Sequence, residues 1–339
     1  MSSDAQPVIV STSPHAHEGS SVRRIMLDVI IALAPALLAS MIFFGWHAVR
    51  LTAVCVAACV ACEAGCRRLM GRDPGIGDLS AAVTGILLAF NLPPSLPSWI
   101  AVVGCIAAVA IGKQVFGGIG YNPFNPALVG RVVLLISFPV AMTRWHNALE
   151  PGRWAGLSWV DGASTATPLG TVKTAVSGGE ALPLTWDGAT LMDFLFGRMS
   201  GCIGEVSALA LILGGIYLLV RRVISWHIPV AYIGTVAAIA GLLRIVAPGS
   251  NMPVTFHLFA GGLMLGAIYM ATDMVTSPLT RRGMLVFGAG CGALTMIIRR
   301  WGGYPEGVSF AILLMNATVP LINRATRPRV FGTKRKKRS

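Results

Sequence analysis

Long apolar runs separated by short polar stretches dominate the chain. A helix needs about 20 apolar residues to cross a bilayer, and most of these runs approach that length. The pattern therefore predicts an all-α polytopic membrane protein with about ten transmembrane helices. The runs cover approximately residues 25–45, 48–66, 79–92, 99–112, 126–141, 202–220, 228–246, 256–274, 284–298 and 308–322.

The amino-acid composition agrees with this interpretation. Of the 339 residues, 54% are hydrophobic and only 12% are charged, whereas a soluble domain carries about 25% charged residues. Residues 1–22 are polar, and the first apolar run is followed by further runs instead of a cleavage site. No cleavable signal peptide is therefore predicted. A soluble globular class is excluded.

The basic residues indicate how the chain crosses the membrane. The net charge is +13, yet the arginines flank the apolar runs and the densest basic cluster is 334–338. This distribution fits the positive-inside rule and contact with anionic lipids, and it argues against nucleic-acid binding. With a cytoplasmic amino terminus, residues 142–199 lie outside. Arg244, Arg299 and Arg300 depart from the rule; an interfacial anchor is the favoured interpretation and a ligand contact is the alternative.

Short motifs recur in the two halves of the chain. Residues 303–306 repeat the Gly-Tyr and Pro of residues 120–123, and Glu205 corresponds to Asp28, at offsets between 177 and 183 residues. Each half contains five apolar runs, and an odd number of crossings places the second half upside down relative to the first. The pattern predicts two inverted five-helix repeats.

These observations divide the chain into five parts. The parts are a cytoplasmic tail (1–24), a first membrane repeat (25–141), an outer polar segment (142–199), a second membrane repeat (200–323) and a basic cytoplasmic tail (324–339). The runs 79–92, 99–112 and 284–298 are shorter than the roughly 20 residues of a full crossing, which suggests broken or half-spanning helices. A cofactor or ion path and simple hairpin packing are both open interpretations.

Four acidic residues lie inside or at the ends of apolar runs, namely Asp28, Glu63, Glu205 and Asp273. Ionisable groups there cost roughly 2.5–3.5 kcal/mol, so they are functional candidates. Arg67 could neutralise Glu63 at i,i+4, and Asp28 and Asp273 could meet water at the interface. Glu205 has no obvious local partner, so it is the first candidate for a cation or proton step, followed by Asp273.

Four of the seven cysteines, Cys55, Cys59, Cys62 and Cys66, share one face of the second predicted helix. An iron–sulfur cluster is one interpretation. However, the four extend over about 16 Å, and one straight helix cannot surround a cluster. Small residues on one face of a membrane helix favour close packing. His257 is likewise interpreted as a hydrogen-bonded packing residue.

Residues 161–169 form a small, hydroxyl-rich segment in the outer part of an otherwise apolar chain. An ordinary polar turn is one interpretation, because Ser, Thr, Asp and Gly cluster in loops. The pattern Asp-x-x-Ser/Thr-x-Ala-Thr also resembles the acceptor sequence of a periplasmic flavin transferase. The resemblance implies that Thr167 holds FMN through a phosphoester bond and that Asp161, Ser164 and Ala166 are recognition positions.

Local chemistry suits an acceptor at this place. Pro168 disfavours helix at Thr167, so an extended, exposed and mobile acceptor is predicted. Thr165 stands where such acceptor sequences commonly have Gly. The positive-inside rule separately places the segment on the outer side, where a periplasmic transferase would meet it, and this agreement favours flavinylation over the turn.

Further segments extend the resemblance over nearly the whole chain. They are residues 13–15, 120–127, 161–167, 204–208, 271–273 and 304–307. With them the sequence resembles the D subunit of the Rnf electron-transport complex and its homologue, the B subunit of the sodium-pumping NADH:quinone oxidoreductase.

That resemblance implies ten helices in two inverted units of the urea-transporter type, in a bacterial inner membrane. It implies covalent FMN on the periplasmic side, electron transfer coupled to Na⁺ or H⁺ movement, and a redox-driven translocase as the assembled enzyme. It leaves open a second, non-covalent flavin. The implied partners are Rnf subunits of the A, B, C, E and G types and a flavin transferase.

Two other classes stay open on the residues alone. A solute transporter or channel of the urea-channel type would share the repeats without needing Thr167. A structural membrane scaffold would need neither the acceptor nor the intramembrane acids.

Overall fold

The computed structural model describes residues 21–73, 76–146, 166–180, 182, 186–205 and 207–328. These residues form helices and connecting loops, and none of them lies in a β-strand. The helices are α1 (Val22–Phe44), α2 (Trp46–Leu69), α3 (Ser80–Phe90), α4 (Ser98–Gln114), α5 (Pro126–Ser137), α6 (Pro168–Gly178), α7 (Gly188–Phe196), α8 (Ala208–Val220), α9 (His227–Val246), α10 (Val254–Phe259), α11 (Leu263–Met270), α12 (Arg281–Trp301) and α13 (Val308–Ala325).

Within the described residues, α1, α2, α9, α12 and α13 are long and apolar enough to cross a membrane. The segment 248–270, which contains α10 and α11, would be a sixth crossing, bent by 47°. Four more apolar helices, α3, α4, α5 and α8, are shorter. The protein is therefore an all-helical, multi-pass membrane protein, which confirms the predicted class.

Two of the predicted runs differ from the helices that form. The run at 284–298 predicts a short crossing, yet α12 has 21 residues, because Arg281 and Arg282 continue the helix at one end and Arg299 and Arg300 at the other. The run at 256–274 predicts one continuous segment, but it is broken between α10 and α11 at Gly261, whose φ of 73° favours glycine.

Two helices end at the same place inside the protein. α3 has only 11 residues, and Asn91 follows its last residue. The Asn91 side-chain amide donates to the Leu87 carbonyl and lies 3.6 Å from the sulfur of Met270, the last residue of α11. Asn125, the N-cap of α5, donates to the Met270 carbonyl at 3.3 Å. Side-chain amides therefore satisfy backbone groups where these helices stop.

The α1–α8 crossing requires a glycine. A Cβ at Gly214 would lie 1.9 Å from the Ala32 carbonyl oxygen and 2.2 Å from the Tyr269 hydroxyl. The single O–H of that hydroxyl is shared between the Ala32 carbonyl at 3.1 Å and the Leu211 carbonyl at 3.0 Å. Small residues let membrane helices approach closely, and here the approach is closed by hydrogen bonds as well.

We expect Gly214→Ala to destabilise the protein by about 1–3 kcal/mol or more, because the new methyl overlaps backbone and hydroxyl oxygens. Gly234→Ala is the matched control: Gly234 is also in a helix, and nothing lies within 4 Å of its Cβ position. Thermal unfolding in detergent would measure both. Equal unfolding temperatures for the two variants would contradict this account of the crossing.

The cysteines of α2 contribute to packing as expected. Cys55 and Cys59 are fully buried in the apolar core, and the Cys105 thiol of α4 lies 3.6 Å from the Cys55 carbonyl oxygen. Within the described residues no cysteine is in a disulfide, and the four α2 cysteines do not form a metal-ligand group.

Candidate functional site

Thr167 is the N-cap of α6. Its backbone is extended (φ −64°, ψ 151°), as the following Pro168 predicts. Its hydroxyl oxygen accepts a hydrogen bond from the Gly170 N–H at 3.1 Å, which satisfies one of the free donors at the start of the helix. Ala166 is exposed. Asp161 and Ser164, the other predicted recognition positions, lie outside the described residues.

The predicted exposure of Thr167 is wrong. Only 7% of the residue is accessible, because its hydroxyl turns toward the helix and the residue lines a small cavity of about 10 Å³. Glu205 and Glu306 line the same cavity. Thr167 therefore lies directly beside Glu205, the acidic residue that the sequence singles out for an ion step.

Glu205 is buried in a turn that precedes α8. One carboxylate oxygen accepts from the Cys202 N–H at 3.4 Å, and its other oxygen, Oε1, is buried with no hydrogen-bond partner in the described residues. Gly201 and Gly262 border the carboxylate, and a Cβ at these positions would lie 3.0 and 3.1 Å from its oxygens. An unpartnered buried carboxylate oxygen is costly, so this side chain is suited to taking up a proton or a cation.

Arg131 joins this site to the interior. This buried side chain of α5 forms an ion pair with Glu306 and donates to the Asn91 side-chain oxygen, and it lies 3.8 Å from the Cys202 sulfur. The ligand-type atoms of Cys202, Glu205 and Glu306 lie within 4.8 Å of one another. Charged and polar groups from four separate parts of the chain therefore meet beside Thr167.

The sequence indicates only part of this cluster. Arg131 is an arginine inside an apolar run, and this is the signal by which it could have been found. Glu306 belongs to the repeated 303–306 motif, but its pairing with a residue 175 positions earlier cannot be read from the sequence.

Asp273 lies elsewhere, in a separate cavity of about 100 Å³ that Lys113, Asn122 and Asn125 also line. Its carboxylate accepts from the Val275 N–H at 3.3 Å and the Thr276 hydroxyl at 3.1 Å. The Asp273 carboxylate therefore accepts hydrogen bonds from donors in the loop that follows α11. The two acids singled out for ion coupling do not share one site.

The remaining two acids are paired. Asp28 accepts from the Tyr217 hydroxyl at 2.8 Å and from Arg221 at 3.3 Å. Glu63 forms the i,i+4 pair expected with Arg67, at 3.5 Å. Its closer partner is Lys113, whose ammonium lies 2.8 Å from both Glu63 oxygens. The sequence does not predict this second pair, which joins α2 to α4.

Two of the arginines that depart from the positive-inside rule, Arg299 and Arg244, donate to backbone carbonyls. Arg299 is buried and donates to the carbonyls of His257, Ala260 and Glu306. It therefore supports the loop between α10 and α11 as well as the turn before α13. Arg244 is exposed and donates to the Asn251 carbonyl of the following loop.

A lysine of α6 provides a similar connection. Lys173 donates to the carbonyls of Ile298, Gly302 and Tyr304, at and after the end of α12. Partial burial lowers the pKa of Lys173 below its usual value. The helix that begins at Thr167 is thereby joined to the membrane helices.

The helices and the buried polar cluster define a multi-pass membrane protein with a charged site between its helices. The model of the NQR2, RnfD, RnfE family matches residues 9–332. The D subunit of the ion-translocating oxidoreductase complex of Stutzerimonas stutzeri is 46% identical over 328 residues, covering 92% of this chain and 93% of that protein.

Two further relatives are similar over almost their whole length. The D subunit of the Na(+)-translocating ferredoxin:NAD(+) oxidoreductase complex of Acetobacterium woodii is 46% identical, covering 97% of this chain and 96% of that protein. The D subunit of the proton-translocating ferredoxin:NAD(+) oxidoreductase complex of Clostridium ljungdahlii is 43% identical, covering 96% of each. The chain belongs to the NQR2, RnfD, RnfE family, which confirms the resemblance found in the sequence.

Proposed function

We propose that this protein is the membrane flavoprotein subunit of an ion-translocating, Rnf-type electron-transport complex. It relays electrons through FMN attached covalently to Thr167 and takes part in coupled Na⁺ or H⁺ movement. The observation that carries the proposal is the position of Thr167: it completes a flavin-acceptor motif and lies beside the buried carboxylate of Glu205. The names of the relatives, all of them D subunits of ion-translocating oxidoreductase complexes, support it.

The residues around Thr167 fit a phosphoester. The first turn of α6 contains no acidic residue, and the free N–H groups at a helix N-terminus favour a phosphate. The cavity of about 10 Å³ is too small for a flavin ring. Bound FMN would supply one- and two-electron chemistry.

We further propose ten crossings in two inverted five-helix units, of the urea-transporter type. The described helices support this arrangement: α1 to α5 make five apolar segments, and α8, α9, the α10–α11 pair, α12 and α13 make five more. The proposed place of the protein is a bacterial inner membrane, with residues 142–199, including Asp161, Ser164 and Ala166, on the periplasmic side. The proposed partners are subunits of the Rnf A, B, C, E and G types.

The cavity around Asp273 is the proposed place for a second, non-covalent flavin. Its lining combines an ammonium and two amides, Lys113, Asn122 and Asn125, with apolar walls such as Met26 and Leu87. Ligand sites typically pair apolar walls with a few convergent polar groups of this kind.

The proposal is tested by making the protein with and without a flavin transferase. Mass spectrometry of the intact protein should show the addition of one FMN only with the transferase, and the denatured protein should then fluoresce in a gel. Labelling of a single cysteine introduced at Ala166 tests the side of the membrane: only a reagent added from the periplasm should react. An unmodified protein, or labelling from the cytoplasm, would refute the relay.

We expect Glu205→Gln to uncouple the assembled complex. The substitution keeps the size of the side chain but removes its ability to bind a cation or release a proton, so ion uptake into vesicles should fall toward background while flavin attachment persists. Uptake of Na⁺ and of H⁺ would be measured separately, because the relatives' names differ in the ion. Glu180→Gln, at an exposed position, is the control. Unchanged uptake would remove Glu205 from the coupling step.

A further inference from the structure

A second cavity lies between α6 and the membrane helices, and Glu205 does not line it. It has about 50 Å³, several times the roughly 10–15 Å³ that one water needs. Its walls come from α6, from the loop between α9 and α10, from α10, and from the last turn of α12. It is separate from the Thr167 cavity, although Leu169 borders both.

The lining of this cavity is cationic. Lys173, Arg299 and Arg300 line it, and no acidic residue of the described chain does. Basic side chains near helix C-termini commonly offset the helix dipole, and this explains Lys173 and Arg299, which donate to carbonyls. Arg300 also lies in the last turn of α12, but it is half-buried and forms no hydrogen bond or ion pair with the described residues. His257 also lines the cavity, and its Nδ1 is buried without a partner there.

The walls of the same cavity are apolar. Leu169 and Val172 of α6 line it together with Met252 and Phe256, and the same four side chains belong to one buried apolar cluster. An occupant must therefore bring an anionic group for Arg300 and His257 together with a hydrocarbon part. A free inorganic anion would offset the charge of the cations but would make no apolar contact with the rest of the lining.

The cavity lies at the level where lipid headgroups are expected. α9 and α12 run side by side in the same direction, since a Cβ at Gly288 would meet the Ile228 carbonyl and one at Gly292 the Tyr232 carbonyl. Both helices therefore end beside the cavity, at the predicted outer face. Arginines at this face depart from the positive-inside rule, and an anionic ligand offsets the unfavourable charge.

We propose that this cavity binds the phosphate of an anionic phospholipid of the outer leaflet. The phosphate accepts hydrogen bonds from Arg300 and His257, and an acyl chain lies along the apolar side of α6. The bound lipid thereby contacts α6 and the ends of α9 and α12. This site does not depend on whether Thr167 carries a flavin.

The full-length protein in detergent is titrated with phosphatidylglycerol, phosphatidylcholine or inorganic phosphate. The unfolding temperature is measured at each concentration. Phosphatidylglycerol should raise it and the other two should not. Arg300→Met should weaken the apparent phosphatidylglycerol affinity by about tenfold or more, the range of one lost charge-assisted hydrogen bond. Arg282→Met removes one charge from the opposite, exposed end of the same helix and should respond like the wild type.

Two other substitutions keep the test decisive if Arg300→Met does not fold. Arg300→Lys retains the charge and should retain the response. His257→Phe retains a ring but removes the nitrogen, and it should weaken the response. A full response to phosphatidylglycerol in His257→Phe or in a folded Arg300→Met, or an equal effect of inorganic phosphate, would overturn the lipid site.

Discussion

Thr167→Asn is expected to give a folded protein without covalent flavin. Asn is as good an N-cap as the hydroxyl residues, so α6 should keep its first turn, but an amide cannot form the phosphoester. Thr167→Ala should also lack flavin fluorescence. It should in addition lower the free energy of unfolding by about 1 kcal/mol, because the hydrogen bond to the Gly170 N–H is lost. Thr167→Ser should remain fluorescent. In-gel fluorescence of the denatured variants measures all three.

Thr174→Ala serves as the control for this series. Thr174 is an exposed threonine of the same helix, and its hydroxyl donates to the Gly170 carbonyl. This variant should carry flavin at the wild-type level. Fluorescence in Thr167→Asn would show that another residue accepts the flavin. A dark Thr167→Ser with normal unfolding temperature would show that the transferase requires the threonine methyl.

The burial of Thr167 constrains when the proposed flavin attachment can take place. A second enzyme cannot reach a hydroxyl that belongs to a residue only 7% accessible and is already hydrogen-bonded to Gly170. The start of α6 must therefore unwind, or still be unfolded, when the bond forms. Helix ends open locally at low free-energy cost, so this requirement is compatible with the fold. We expect the transferase to modify Thr167 faster on newly made protein than on purified protein, as a time course of in-gel fluorescence would measure.

The helices could be predicted from the sequence because apolar length alone decides where a chain can cross a bilayer. The interruptions could be predicted only in part. The stop after α3 is indicated by Pro93 and Pro94, whereas the break at Gly261 lies within a run that is continuous in its apolar pattern. Where a helix breaks inside a membrane, its free backbone groups need hydrogen-bond partners from distant parts of the chain. Here Arg299 of α12 donates to the carbonyls of His257 and Ala260, at the end of α10 and just after it.

The residues of the candidate site could also be predicted only in part, because the sequence does not show which distant residues contact them. A local motif is sufficient to select Thr167, and an acid in an apolar segment is sufficient to select Glu205. The partners of the buried charges come from far along the chain, as Glu306 does for Arg131 and Lys113 does for Glu63. Such pairs are set by helix packing, and apolar periodicity carries no information about which helices meet.

The Arg131–Glu306 pair gives the second large expected effect. Arg131 is 5% accessible, and its guanidinium is shared between the Glu306 carboxylate and the Asn91 side chain that ends α3. Arg131→Met leaves Glu306 beside Glu205 without its cation. Breaking a buried pair in this way costs about 3–5 kcal/mol, because an uncompensated charge remains in the interior.

The double substitution Arg131→Met with Glu306→Gln should recover much of that loss, because it removes both charges. With the single Glu306→Gln variant, the cycle gives the coupling energy of the pair. The Arg198–Asp193 pair is the matched control: its side chains are 67% and 47% exposed and 3.9 Å apart. Arg198→Met should cost about 0–1 kcal/mol. Unfolding titrations in detergent measure the free energy of unfolding of the wild type and of each variant. If Arg131→Met and Arg198→Met lower the free energy of unfolding equally, water reaches the interior beside Thr167, and the burial argument for this pair is wrong.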